Sequence, residues 1–60
     1  MSRRAVDAVF LGLFTLTDIR VVLRRTAPLH NLSDDDRATV LKSIEELRQQ
    51  VGILEEELLR

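Results

Sequence analysis

The second half of this chain carries a heptad pattern of apolar residues, which strongly limits the folds it can adopt. From Asp34 to Arg60 there is no proline, and apolar side chains recur at alternating intervals of four and three residues. This rhythm is typical of a helix that packs along its whole length against other helices. We expect an oligomer seam formed by Val40, Ile44, Leu47, Val51, Leu54 and Leu58. The pattern therefore predicts an all-α protein.

Signals for helix ends divide the chain into two helices and a turn. Ser2 and Ser33 are suitable N-cap residues, because a serine hydroxyl accepts a hydrogen bond from an N–H group of the first turn. Pro28 ends the first helix, since the residue before a proline avoids the α conformation. The predicted elements of a single domain, 1–60, are helix one at about 3–25, a turn at about 26–33 and helix two at about 34–59. So short a turn predicts a two-helix antiparallel hairpin.

The length of the chain indicates that one hairpin needs a partner. Domains of this size bury only about 60% of their unfolded surface, and they usually depend on disulfides, a metal or another chain. The sequence has no Cys and one His, which excludes a disulfide and leaves no conventional zinc ligand set. We expect no cofactor and a homodimer of hairpins in a four-helix bundle, with a second protein as a further candidate partner. A parallel two-stranded coiled coil through helix two is the alternative assembly.

Helix one is apolar over most of its circumference. At about 100° per residue, Ala5, Ala8 and Gly12 begin an apolar stripe. We expect Val22 on the side away from that stripe and Thr15 in a narrow polar strip. A helix that is apolar nearly all round is normally buried, and one neighbouring helix covers only one face. Gly12 either permits a close helix approach or is a tolerated weak helix former. The residues expected to form the bundle core or a partner-binding face are Val9, Phe10, Leu13, Phe14, Leu16, Ile19 and Leu23.

Charge is distributed unevenly between the two halves. Residues 1–30 carry a net charge of +3 and residues 31–60 a net charge of −4, so no basic field covers the whole domain. In an antiparallel hairpin, arginines at each end of helix one lie beside acids of helix two, and this pairing is the favoured interpretation. The same group supplies the candidates for anion or nucleic-acid contacts: Arg3, Arg4, Arg20, Arg24 and Arg25. RNA binding through these arginines, and membrane-surface anchoring by an amphipathic helix one, are therefore alternative functions.

The turn and the start of helix two carry an acidic run with polar neighbours. The run 29–36 is Leu-His-Asn-Leu-Ser-Asp-Asp-Asp, and it is followed by Ala38, Ser43 and apolar residues at helical spacing. Over about a third of the chain, this segment resembles the Rop family of plasmid-encoded RNA-binding repressors. The resemblance implies a helical hairpin that dimerises into an antiparallel four-helix bundle. Helix one departs from the family, because Pro28 precedes the turn and its polar residues do not match the RNA-contacting face.

The sequence lacks the residue patterns that are typical of an enzyme. His30 stands alone in the turn without an evident nucleophile beside it, and the chain has no glycine-rich phosphate loop. The acidic run 34–36 lacks the spacing of a calcium loop and suits the positive end of a helix dipole instead. We therefore expect a non-enzymatic interaction module, a homodimeric helical bundle that acts as a small scaffold, adaptor or regulator.

Helix one does not have the composition of a membrane span. Asp7, Asp18 and Arg20 interrupt its apolar residues, whereas a spanning helix needs about 20 residues that are almost all uncharged. The segment also lacks a small-residue cleavage site of the kind that ends a signal peptide. We expect a cytoplasmic protein, and Met1 favours a natural N-terminus.

Overall fold

The protein is an all-helical hairpin in the computed structural model, which describes residues 2–59. Helix α1 spans Arg3–Thr26 and helix α2 spans Asp34–Leu58, with a connection at 27–33 between them. The two helices pack against each other along their length, and the molecule measures 41 × 16 × 14 Å. Met1 and Arg60 lie outside the described residues.

Both helices are capped at their N-termini by the serine residues that the sequence indicated, Ser2 and Ser33. The Ser2 hydroxyl accepts a hydrogen bond from the Ala5 N–H at 3.2 Å. At the start of α2, the Asp36 N–H donates to the Ser33 hydroxyl at 3.1 Å, and the Ser33 N–H donates back to the Asp36 carboxylate at 3.3 Å. This reciprocal pair is a capping box, with an aspartate in the position that glutamate usually occupies.

The connection at 27–33 contains two unusual backbone conformations. The peptide bond between Ala27 and Pro28 is cis, and His30 has a φ of 56°, in the left-handed region that histidine enters more readily than most residues. The His30 N–H donates to the carbonyl of Thr26 at 2.8 Å, which satisfies one of the free carbonyls at the end of α1. The connection places α2 antiparallel to α1.

The face of α1 that meets α2 is built from small residues. Its buried positions are Ala5, Ala8, Gly12, Thr15 and Val22, and we call this line of residues the small-residue seam. The burial of Thr15 and Val22 contradicts the sequence interpretation, which placed Thr15 in a polar strip and Val22 opposite the apolar stripe. At about 100° per residue, Thr15 lies roughly 20° and Val22 roughly 40° from Ala8 around the helix, so helical periodicity places both on the face that contains Ala8. The Thr15 hydroxyl is satisfied within α1, since it donates to the Leu11 carbonyl at 2.8 Å.

Helix α2 turns one edge of its heptad pattern toward α1. Ser43 is its buried residue, and Val40, Ile44, Leu47 and Leu54 are half-buried. The other two residues of the expected oligomer seam, Val51 and Leu58, are 54% and 56% exposed. The contact between the helices therefore uses only part of the apolar pattern of α2.

Gly12 is not needed for the helices to approach each other. A Cβ atom added at Gly12 would lie 3.6 Å from Leu47 Cδ1, which is an ordinary van der Waals distance. Gly52 has open space around the same position. Of the two roles considered for Gly12, the structure supports a tolerated weak helix former.

Candidate association surfaces

One side of the hairpin is a groove with apolar walls on both helices. Its α1 wall holds Val9, Leu13 and Leu16, and its α2 wall holds Val51 and Leu54. The full set of described residues that line it is Ala8, Val9, Gly12, Leu13, Leu16, Leu47, Gln50, Val51 and Leu54. We call this side of the hairpin the apolar flank. None of those residues is charged, so the groove offers a continuous surface that water solvates poorly.

The apolar flank continues to the end of α2. A second depression beside the groove is lined by Val51, Leu54, Glu55, Leu58 and Leu59. Glu55 introduces a charge only at this far end. Apolar side chains thus run from the middle of the hairpin to the end that lies away from the turn.

The opposite side of the hairpin carries both apolar and acidic side chains. Leu11 and Phe14 of α1 line a groove there together with Asp18 and with Glu46 of α2. Thr15 and Gln50 form its floor between the helices, and we call this side the phenylalanine flank. Phe14 is 68% exposed. A partner on this flank would have to meet or neutralise two carboxylates.

Most of the expected core of helix one lies on the surface of the hairpin. Ile19 is half-buried. The residues of that group that are exposed as large apolar side chains are Val9, Phe10, Leu13, Phe14, Leu16 and Leu23. A single hairpin therefore leaves these side chains in water, as the apolar circumference of helix one indicated.

Gln50 occupies a polar position between the helices. It lines the grooves on both flanks. Its Oε1 atom is buried and accepts no hydrogen bond from the part of the chain that the structure describes. A buried polar atom without a partner destabilises a fold by about 1–3 kcal/mol.

Charge pairing at the far end of the hairpin joins α1 to α2. Arg4 Nη1 lies 3.2 Å from carboxylate oxygens of both Glu56 and Glu57. The Ser2 hydroxyl donates to Glu57 Oε1 at 2.6 Å. Arg3 instead lies 3.9 Å from Asp7 on its own helix.

Charge pairing at the turn depends on Asp36. Arg25 forms an ion pair and a hydrogen bond with this carboxylate, which also accepts the capping hydrogen bond of Ser33. Partial desolvation acts to raise the pKa of Asp36, but the hydrogen bonds from Ser33 and the charge of Arg25 outweigh it, so the pKa lies below the ordinary value. The ionised form of Asp36 is thus favoured in the folded state.

The five candidate arginines do not gather into one basic patch. Arg4 and Arg25 contact acids at opposite ends of the hairpin, and Arg3 contacts Asp7. Arg20 and Arg24 are exposed on α1 near the turn. The contacts of Arg4 and Arg25 with α2 fit the interpretation that charge pairs set the register of the helices.

Two further findings concern metals and membranes. Within residues 2–59, no group of three or more His, Cys, Asp or Glu side chains is placed to hold a metal ion. Neither helix, over the same residues, combines the length and apolar character needed to cross a membrane.

Comparisons with family models, curated proteins and solved structures give no significant match to this chain. The similarity of the turn to the Rop family stays a prediction.

The sequence interpretation missed three of the residues that lie between the helices. Thr15 and Ser43 are buried, and Gln50 is half-buried. Thr15 continues the spacing of three and four residues that Ala5, Ala8 and Gly12 begin on α1, and Ser43 and Gln50 lie seven residues apart on α2. A search for small side chains at heptad spacing, in place of large apolar ones, would have found the contact face of α1.

Proposed function

We propose that this protein is a non-enzymatic association module, a homodimer of helical hairpins that forms a four-helix bundle. In this role it acts as a small scaffold, adaptor or regulator that brings other macromolecules together. The proposal is supported chiefly by the amount of apolar surface that a single hairpin leaves exposed.

The surface area of the hairpin is large for its mass. It exposes 5014 Å², whereas a folded monomer of 6.9 kDa is expected to expose about 4,000 Å². The excess of about 1,000 Å² is close to the roughly 800 Å² that each partner buries in a standard interface. A homodimer would bring the exposed area of each chain down to the ordinary value.

The interior of one hairpin is correspondingly small. Its buried apolar residues are Ala5, Ala8 and Val22, and none of the large side chains described is fully buried. Burial of an alanine contributes little, because the hydrophobic free energy scales with the apolar area removed from water. The large side chains that could supply a core are those that face outward, and a second hairpin would bury those on the side that it covers.

The first experiment is to measure the solution mass by light scattering over a concentration series while helicity is followed by circular dichroism. A homodimer gives twice the chain mass of 6.9 kDa, and its helicity falls on dilution because folding and association are linked. The opposite result is a monomer whose helicity is high and independent of concentration, which would refute the proposal.

The same protein sample separates the alternative functions. RNA binding predicts an affinity that falls steeply with salt and with substitution of Arg20 and Arg24, the two exposed arginines near the turn. Anchoring of α1 at a membrane surface predicts a gain of helicity with anionic vesicles. A dimer that responds to neither probe supports the association module.

A further inference from the structure

We infer that a second copy of this chain docks on the apolar flank, and that the phenylalanine flank stays outside the dimer interface. This inference rests on the proposed homodimer and adds to it the surface through which the two copies meet. Both helices contribute to that surface, with Leu13 and Leu16 on one wall and Val51 on the other.

Charge is the first reason to choose between the flanks. In a two-fold dimer the same patch meets its own copy, so every charge on the patch appears twice in the interface. The phenylalanine flank would place two copies of Asp18 and Glu46 together, and its groove is lined by no basic side chain among the described residues. Like charges in a desolvated contact oppose association. The central groove of the apolar flank has no charged residue to bury, and Glu55 lies only at the far end of that flank.

Shape is the second reason. The floor of the apolar groove includes the small residues Ala8 and Gly12, and larger side chains rise on both sides of it. A surface that holds both a groove and the ridges beside it can receive the ridge of an identical surface. Leu13 is 55% exposed and Val51 is 54% exposed, so side chains are present to fill the groove of a second copy.

Area is the third reason. The excess surface of about 1,000 Å² matches one interface of standard size for each chain and does not match two. The apolar flank extends from Val9 past Val51 to Leu58 and Leu59, so it has the length to supply that area on one side of the hairpin.

The test compares two leucines of α1 that differ in the flank they occupy. Leu13 lies on the apolar flank and Leu11 on the phenylalanine flank, and they are 55% and 51% exposed. Leu13→Glu should raise the dissociation constant of the dimer by about a hundredfold or more, because it buries an unpaired charge in the contact. Leu11→Glu should leave the dimer intact. Both variants are compared with the unaltered chain by light scattering.

The outcomes distinguish the assigned flank from the homodimer itself. A monomeric Leu13→Glu beside a dimeric Leu11→Glu supports the assignment of the apolar flank. The reverse result, loss of the dimer in both variants, or loss in neither variant, overturns the assignment while the homodimer itself stands. If the unaltered chain is a monomer, the proposed function fails and this inference fails with it.

A second measurement covers the case in which Leu13→Glu fails to fold. The chain has no cysteine, so Leu13→Cys and Leu11→Cys each introduce a single thiol into an otherwise unaltered dimer. Labelling by a maleimide should be about tenfold slower, or slower still, at position 13 than at position 11, because access requires the dimer to dissociate. Equal labelling rates at the two positions in a dimeric sample would overturn the assignment.

Discussion

The small-residue seam and the apolar flank differ in the size of their side chains and in their contact with water. The seam buries Ala5 and Ala8 against α2, whereas the flank exposes Leu13 and Val51 beside it. Small side chains let two helices approach closely but remove little apolar area from water. The seam therefore fixes how the two helices pack, whereas the flank leaves larger apolar side chains in contact with water.

The largest change in stability that we predict in this comparison comes from substituting two adjacent residues, Ala8 in the seam and Val9 on the apolar flank. Ala8→Leu should destabilise the protein by about 1–3 kcal/mol, since a larger side chain must push the closely packed helices apart. Val9→Leu, which adds a methylene on the apolar flank, should change stability by much less. Urea denaturation followed by circular dichroism measures both. Equal destabilisation by the two substitutions would mean that the seam is not packed more closely than the flank.

Substitution of Gly12 tests how closely the seam is packed at its centre, and the exposed Gly52 provides the comparison. Gly52→Ala should stabilise α2 by about 1 kcal/mol through helix propensity alone, because nothing lies near the added methyl group. Gly12→Ala should give a similar gain, since its methyl group meets Leu47 at an ordinary contact distance. Thermal unfolding of both variants checks this. A loss of stability in Gly12→Ala would contradict this expectation and would mean that Leu47 leaves no room for a methyl group at Gly12.

The smallest predicted effect is a pH dependence of stability that arises at the turn, where Arg25 pairs with Asp36. Because the pKa of Asp36 is lowered in the folded state, its ionised form contributes stability above the ordinary aspartate value of about 4. That contribution should be lost as the pH falls from about 4 through the lowered value. Denaturation midpoints should be measured from roughly pH 6 to about pH 2.5, a range that covers this titration. The loss of stability on acidification should be smaller in Asp36→Asn than in the unaltered chain.

Asp35→Asn provides the matched control for this titration. Asp35 lies in the same first turn of α2, but the capping box and the ion pair with Arg25 belong to Asp36. The acid-dependent loss should therefore persist in Asp35→Asn. If both variants respond to acid in the same way, the effect comes from the general charge of the turn.

Local signals in the sequence predicted most of the hairpin. Ser2 and Ser33 form the expected caps, and arginines at both ends of α1 contact acids of α2. These features depend on residues close together in the chain or on the antiparallel arrangement that a short turn imposes. Fold class therefore follows from the caps, the spacing and the turn.

The faces of the helices were harder to predict. The heptad pattern places Leu47 and Val51 on one apolar edge of α2, yet Leu47 is half-buried and Val51 is exposed. Periodicity shows that a helix packs along its length, but it does not show which neighbour covers which residue. Thr15 was missed for a different reason, because the hydrogen bond of its hydroxyl to the Leu11 carbonyl makes a polar residue compatible with burial.

The hydrogen bond between Ser2 and Glu57 brings the beginning of α1 beside the end of α2. Fluorophores attached near these two residues would therefore mark a single pole of each hairpin. If the two-fold axis of the proposed dimer runs parallel to the helices, the marked poles of both copies meet and energy transfer between them is strong. If the axis runs across the helices, the poles lie at opposite ends of a particle about as long as the 41 Å hairpin. One distance would then distinguish the two ways of joining the hairpins.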